Sequence, residues 1–344
     1  MKLKNKDIAE MLGISAAAVS MAINGKPGVS VETREKVFEI LEKNGVAGEN
    51  RQEKGLESDS TGTILLIVHK KNGAVINNVL FTNLFERIQQ EAMKYGYMLN
   101  IMHFVPGQDI RSFVESVKRV TVDGIILMAT EMHQEDLDFY KEIETPMILL
   151  DSTFDLETYD SVNFDNQTAI YRAFDYAYKM GHRNIGFLKS KTFINNFGHH
   201  LDGFYKGIRD YHLEEYNHPV IQLSTFIDEA YEEMKAFLET KPEDFQMPTL
   251  FLADLDHLAL GAMKALKEYG YKIPEDVSLI GYDDISACKI AEPPLTTVGV
   301  NTDDIGRIAV DRLIHRMKEP GDYHVTITVS SKMVLRESVS RITE

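Results

Sequence analysis

The sequence predicts an α/β protein in which a small three-helix module precedes a two-lobed body of parallel sheets. Three observations carry this. The first fifty residues hold three short amphipathic segments, residues 46 to 62 are polar with no apolar period, and from Thr63 onward short apolar runs alternate with helical patterns in two successive sets.

In the first module, Ile8 and Leu12 stand four apart on a helix that stops at Gly13. Ser15 is placed to cap a second helix whose inner face carries Val19, Ala22 and Ile23. A third helix starts after Ser30, buries Val37, Ile40 and Leu41, and ends near Gly45. The tight Gly13-Ile14-Ser15 turn between two short helices is the helix-turn-helix signature, with the second helix available for a major groove; a generic three-helix bundle is the alternative.

The segment from Val46 to Gly62 reads as a linker. Beyond it, Ile64–Val68 is followed by a helix over about Leu80–Tyr95, then Ile101–His103, a helix near Arg111–Arg119, Gly124–Met128 and Met147–Leu150. The second set begins near Asp165. Strands are expected at Ile185–Leu188, Val220–Leu223, Leu250–Leu252 and Val277–Ile280, with helices between them. Such alternation means parallel sheets covered on both faces, and two sets mean two lobes with a ligand cleft at the C-terminal ends of the strands.

The chain is 344 residues long, enough for two or three domains. No apolar run approaches the ~18 residues that span a bilayer, and the start, Met-Lys-Leu-Lys-Asn-Lys, is no secretory signal, so a cytoplasmic protein is expected. The single cysteine, Cys288, is expected as a small buried apolar residue in a reducing compartment. A net charge of -16 argues at first against nucleic acid, yet residues 1 to 50 hold seven Lys and Arg against seven Asp and Glu. The whole deficit lies in the body. A neutral headpiece should bind DNA weakly alone, so specific binding should require a homodimer.

Read in order, Lys6-Asp7-Ile8-Ala9-Glu10, Gly13-Ile14-Ser15, Val19-Ser20, Asn24-Gly25, Val29-Ser30 and Thr33-Arg34-Glu35-Lys36-Val37 resemble the headpiece of the lactose-repressor (LacI/GalR) family of transcriptional regulators. The resemblance continues through Gly181–Phe187, Ile273–Ser278, Gly281–Asp284 and Pro293–Val298, and so covers nearly the whole chain. It implies a body similar to a periplasmic sugar-binding protein, with a headpiece at 1–48, a hinge at 49–62, a first lobe from 63–163 and 293–325, and a second from 164–292 and 326–344. The partners implied are a pseudo-palindromic operator in double-stranded DNA, a small-molecule effector with a sugar as the leading class, and a second copy of the chain. No cofactor and no metal are expected.

By resemblance, Ala16, Ala17 and Met21 face base edges, while Asn5, Ser15, Ser20, Asn24, Ser30 and Thr33 hold phosphates. Hydroxyls, amides and a helix N-terminus suit phosphate oxygens without needing charge. Two alanines and a methionine stand where polar or Arg side chains are common; they cannot donate to guanine, and discrimination should sit near the low end of ~1–3 kcal/mol per base pair. Leu56 matches a leucine that wedges into the minor groove when counted back from Ile64; counted forward from Gly45, Gly55 does. The usual Tyr-x-Pro-Asn hinge entry is replaced by Val46-Ala47-Gly48-Glu49.

The implied effector site comprises Phe81, Met128, Asp151, Asn196, His200, Leu255 and Asp283, with Phe226 as a stacking ring. His200 replaces a clamping arginine, Leu255 an asparagine and Val300 a glutamine, which points to a smaller or less hydroxylated effector, or to none. His199 and His200 are adjacent and would point ~100° apart on a helix, which disfavours joint metal binding.

An enzyme is disfavoured by the absence of Gly-x-Gly-x-x-Gly, Gly-x-x-x-x-Gly-Lys-Ser/Thr and Gly-x-Ser-x-Gly motifs. A solute-binding protein would carry a signal in place of the headpiece. The serious rival is a cytosolic sensor with weakened or lost DNA binding.

Overall fold

A computed structural model describes residues 5–23, 29–30, 33, 36–37, 40, 61–73, 79–154 and 159–342. The chain divides into two compact units, Met1–Gly55 and Leu56–Glu344. No helix among the described residues is long and apolar enough to cross a membrane.

In the first unit, α1 (Asn5–Leu12) and α2 (Ala16–Ile23) meet across Gly13, whose φ of 65° is the left-handed conformation a tight turn requires. The Ser15 hydroxyl accepts from the Ala18 N–H at 3.1 Å and so caps α2. Ser30 does the same for the Thr33 N–H at 3.2 Å, at the expected start of the third helix. Ile8, Ala9, Val19, Ala22 and Val37 form the core, with Ile40 packed against it. Leu41 and the end of the third helix lie outside the described residues, as do Asn24 and Leu56.

The second unit holds two six-stranded sheets. The first orders β11 (Thr326–Val329), β5 (Asp160–Phe164), β4 (Met147–Leu150), β3 (Gly124–Met128), β1 (Thr63–His69) and β2 (Met98–Phe104), all parallel. One face packs on α3 (Val79–Lys94) and α11 (Thr302–Lys318), while α4 (Ile110–Lys118) and α5 (Gln134–Tyr140) belong to the separate core on the other. The second sheet orders β12 (Lys332–Val334), β10 (Thr296–Gly299), β9 (Ser278–Asp283), β8 (Leu250–Ala253), β6 (Ile185–Ser190) and β7 (Val220–Leu223), with only β12 antiparallel. It is flanked by α6 (Asn166–Lys179) and α7 (Asn195–Asp210) in one core and by α8 (Ile227–Thr240) and α9 (Asp256–Glu268) in the other; a short α10 (Ala287–Ile290) follows β9. Both sheets are buried on two faces, which is why their inner strands read as continuous apolar runs.

The chain crosses between lobes three times: between β5 and α6, between β10 and α11, and between β11 and β12. The later two crossings differ from the expected 292 and 325. Thr296 pairs with Ile280 of β9, which keeps 296–299 in the second lobe, and Thr326 pairs with Ser161 of β5, which keeps 326–329 in the first.

Helices α6 and α7 approach so closely that a Cβ on Gly203 would stand 2.4 Å from the Gln167 carbonyl oxygen. Gly203→Ala should therefore push the helices apart and cost about 1–3 kcal/mol, read as a fall in the urea midpoint at unchanged slope.

Candidate functional site: the cleft between the lobes

The C-terminal ends of the strands deliver polar groups to a cavity of about 520 Å³ between the lobes. Asp151 follows β4 and Asp283 ends β9, with φ of 61° and 114°. Both carboxylates thus enter from left-handed backbone, which costs about 1–3 kcal/mol per residue and is typical of sites where geometry serves a ligand.

Asp151 is held from both lobes. The Thr130 hydroxyl donates to Oδ2 at 2.7 Å, and the Asn196 amide donates to Oδ1 at 3.0 Å and to the Asp151 carbonyl at 3.1 Å. The neighbouring Asn195 amide donates to the Thr153 carbonyl at 3.2 Å and to the Ser152 hydroxyl at 3.4 Å. The N-terminus of α7, in the second lobe, is therefore latched to residues 151–153 of the first. Burial pushes the Asp151 carboxyl up to about 7. It pushes Asp283 well above the usual carboxylate range too, with further raising from the Asp256 and Asp151 carboxylates.

His200 is 2% exposed and faces inward. Its Nδ1 lies 3.2 Å from Asp254 Oδ1 and its Nε2 3.3 Å from Asn166 Oδ1, and the ring packs 4.3 Å from that of Tyr282. Asn166 Oδ1 also accepts from the Tyr282 hydroxyl at 2.8 Å, while Asp254 Oδ2 accepts from the Ser190 N–H at 2.6 Å. Burial raises the Asp254 carboxyl, against the pull of His200. Both nitrogens of His200 are thereby engaged within the protein, so it does not supply the reaching cation of an arginine. Among the described residues no lysine or arginine lines the cavity, and four carboxylates do: Asp151, Asp228, Glu229 and Asp283.

Of the residues expected at this site, Phe81, Asp151, Asn196, His200, Phe226, Leu255 and Asp283 line the cavity. Met128 does not. It lies in β3 with no exposure, packed in the apolar core shared with Phe81 and Leu84, because its strand position turns it into the helix-covered face. Leu255 is both core and lining, and Val300 packs against the core. Sequence reasoning missed Thr130, Asn166, Tyr282 and His257. Tyr282 adjoins Asp283 at a strand end and could have been found there; Thr130 and Asn166 carried no local signal.

In the headpiece, Ala16 and Ala17 are exposed and Met21 is half-buried, with Ala17 and Met21 on the side of α2 opposite Val19 and Ala22. Asn5, Ser15 and Ser30 are exposed, and Ser20 and Thr33 half-buried. The described residues contain no group of three or more His, Cys, Asp and Glu placed to hold a metal ion.

Residues 5–45 match the model of the lacI family of bacterial regulatory proteins, and residues 174–339 that of the periplasmic binding protein-like domain. The HTH-type transcriptional repressor PurR of Haemophilus influenzae is 27% identical over 98% of both chains. Two solved structures share the fold: a complex of the transcriptional regulator CelR with cellobiose, at TM-score 0.71 and 21% identity over 98% of this chain and 100% of that one, and the lac repressor dimer bound to operator and the anti-inducer ONPF, at TM-score 0.71 and 20% identity over 99% and 100%.

Proposed function

Since this chain belongs to the lacI family of bacterial regulatory proteins, we propose that it is a cytoplasmic transcriptional repressor that binds a pseudo-palindromic operator as a homodimer and is switched by a small molecule in the interlobe cleft. The observation that carries this reading is the latch from Asn195 and Asn196 onto residues 151–153 at the cavity wall. A ligand touching Asp151 and Asn196 contacts both lobes, and it will favour whichever lobe arrangement it binds better.

In this reading Ala16, Ala17 and Met21 meet base edges through apolar contacts, Leu56 wedges the minor groove, and Asn5, Ser15, Ser20, Asn24, Ser30 and Thr33 hold phosphates. Asp151, Asn196 and Asp283 give the effector its polar contacts, Phe81, Phe226 and Leu255 its apolar ones, and His200 acts from behind by orienting Asn166 and Tyr282. The exposed methyls of Ala16 and Ala17 favour a second reading, a sensor with weakened DNA binding.

A thermal-shift screen of neutral sugars, sugar phosphates, nucleobases and amine-bearing polyols tests the effector assignment. A member at a hundred times its dissociation constant should add roughly 2.7 kcal/mol to folded-state stability and should change operator affinity. Phosphorylated members should fail, since no lysine or arginine among the described residues faces the cavity. If no member of any class shifts the transition, the cleft is not an effector site of this kind.

A further inference from the structure

We propose that the effector is a cation of sugar size, an amine-bearing polyol, whose ammonium is held between Asp151 of the first lobe and Asp283 of the second. This rests on the reading of the cleft as the effector site and narrows its ligand class.

The charges around the cavity are one-sided. Asp151, Asp228, Glu229 and Asp283 line it, and the carboxylates of Asp254 and Asp256 lie directly behind. Asp254 is met by His200, whose two nitrogens lie against Asp254 and Asn166, so that pair leaves the lining carboxylates as they are; burial lowers the pKa of His257, which leaves that ring neutral at pH 7. Tyr282, the remaining titratable group on the wall, stays neutral because burial raises it far above its usual value.

Asp151 and Asp283 are the two buried acids among the four that line the cavity. Each is buried, at 2% and 8% exposure, among Phe81, Phe164 and Leu255, and they arrive from opposite lobes. Without a cation, such groups are held neutral by protons rather than as charges. Their raised carboxyl pKa values express this directly.

A ligand ammonium replaces those protons. Its three N–H donors suit two carboxylates on one cavity wall, and the aromatic rings of Phe81 and Phe226 in the same lining can attract a positive centre. Hydroxyls of the same ligand can pair with Thr130, Asn196 and Thr225, which line the same space. About 520 Å³ suits a ligand of one or two sugar rings. Bridging the two acids also ties one lobe to the other, so recognition and switching become one event. Among the described residues no lysine or arginine lines the cavity to hold an anion.

The test is calorimetric titration of the full chain with glucosamine, galactosamine and mannosamine, each against its neutral parent sugar. At least one amine should bind about tenfold or more tightly than its parent, as charge-assisted pairs outweigh neutral ones. Its heat should vary with the buffer so as to report proton release, and its affinity should rise with pH until the amine itself loses its proton. Asp283→Asn should bring the pair to near parity. Asp151→Asn should do the same and retains its hydrogen bonds, so a folding defect in one variant leaves the other as the reading.

Parents binding as tightly as amines, or an amine preference that survives both substitutions, would overturn the assignment while leaving the effector site intact. Binding by none of the six would also overturn it, and the wider screen of nucleobases and other sugars then decides the effector reading on its own.

Discussion

Asp160→Ala should destabilise the body by about 3–5 kcal/mol, the range for breaking a buried ion pair from one side. Asp160 is 1% exposed at the start of β5, and its Oδ2 accepts from Arg312 Nε at 2.9 Å, with a second guanidinium nitrogen at 2.8 Å. Oδ1 accepts from the Val325 N–H at 2.7 Å, while Arg316 and His324 stand 3.8 and 3.9 Å away. One carboxylate thus joins α11, the chain entering β11, and β5. Its removal leaves the Arg312 guanidinium, 14% exposed, without its anion and the Val325 N–H without an acceptor. Urea unfolding should show the loss, and Asp160→Ala with Arg312→Ala should cost less than the two single losses added together. A loss below ~1 kcal/mol, the level of a surface pair, would contradict this account of the first lobe.

The opposite sign is expected at Asp151. Its carboxyl stands at about 7 in the folded chain against an ordinary value of 3.8, so between those values the native state holds a proton that the unfolded state has released. The stability tied to this group is therefore full below pH ~4 and is lost as pH rises through 7, amounting to about 4 kcal/mol by linkage. Asp151→Asn removes the ionisation yet keeps the bonds: its amide oxygen can accept from Asn196 and its NH2 can donate to the Thr130 hydroxyl. The variant should match the parent near pH 4 and exceed its stability by about 4 kcal/mol at pH 8, measured by urea unfolding at both values. An equal difference at the two pH values would show that Asp151 does not carry this linkage. A site residue whose natural form weakens the fold is what a trade between stability and binding produces.

The parallel strands were legible because burial on both faces leaves apolar runs such as Ile64–Val68 and Met147–Leu150, and the turn at Gly13 with its Ser15 cap was equally plain. β5 was not. Its five residues, Asp-Ser-Val-Asn-Phe, are all buried, but two of their three polar members find distant partners: Asp160 in Arg312, and Ser161 in Thr326 at 3.2 Å. The second and third crossings come later than the resemblance implied because β10 pairs with β9 and β11 with β5. In the site, the lining positions of Asp151, Asn196 and Asp283 followed from the resemblance, whereas the inward turn of His200 depends on Asp254, 54 residues away, and on Asn166, 34 away. No local pattern reports such a pairing. Met128 was misplaced for a simpler reason: in a strand, one residue's difference in position moves a side chain from one face of the sheet to the other.

The central claim is that the exposed face of α2 reads DNA in pairs under control of the cleft. Selection of the full-length protein on random duplexes, followed by footprinting and competition at several salt concentrations, tests it most directly. The account predicts enrichment of a two-fold symmetric site, an affinity for it roughly 10³-fold or more above random duplex, and a steep fall in affinity with salt. Binding no tighter than to random DNA, with no symmetric footprint, would contradict it and leave a ligand sensor that does not read sequence.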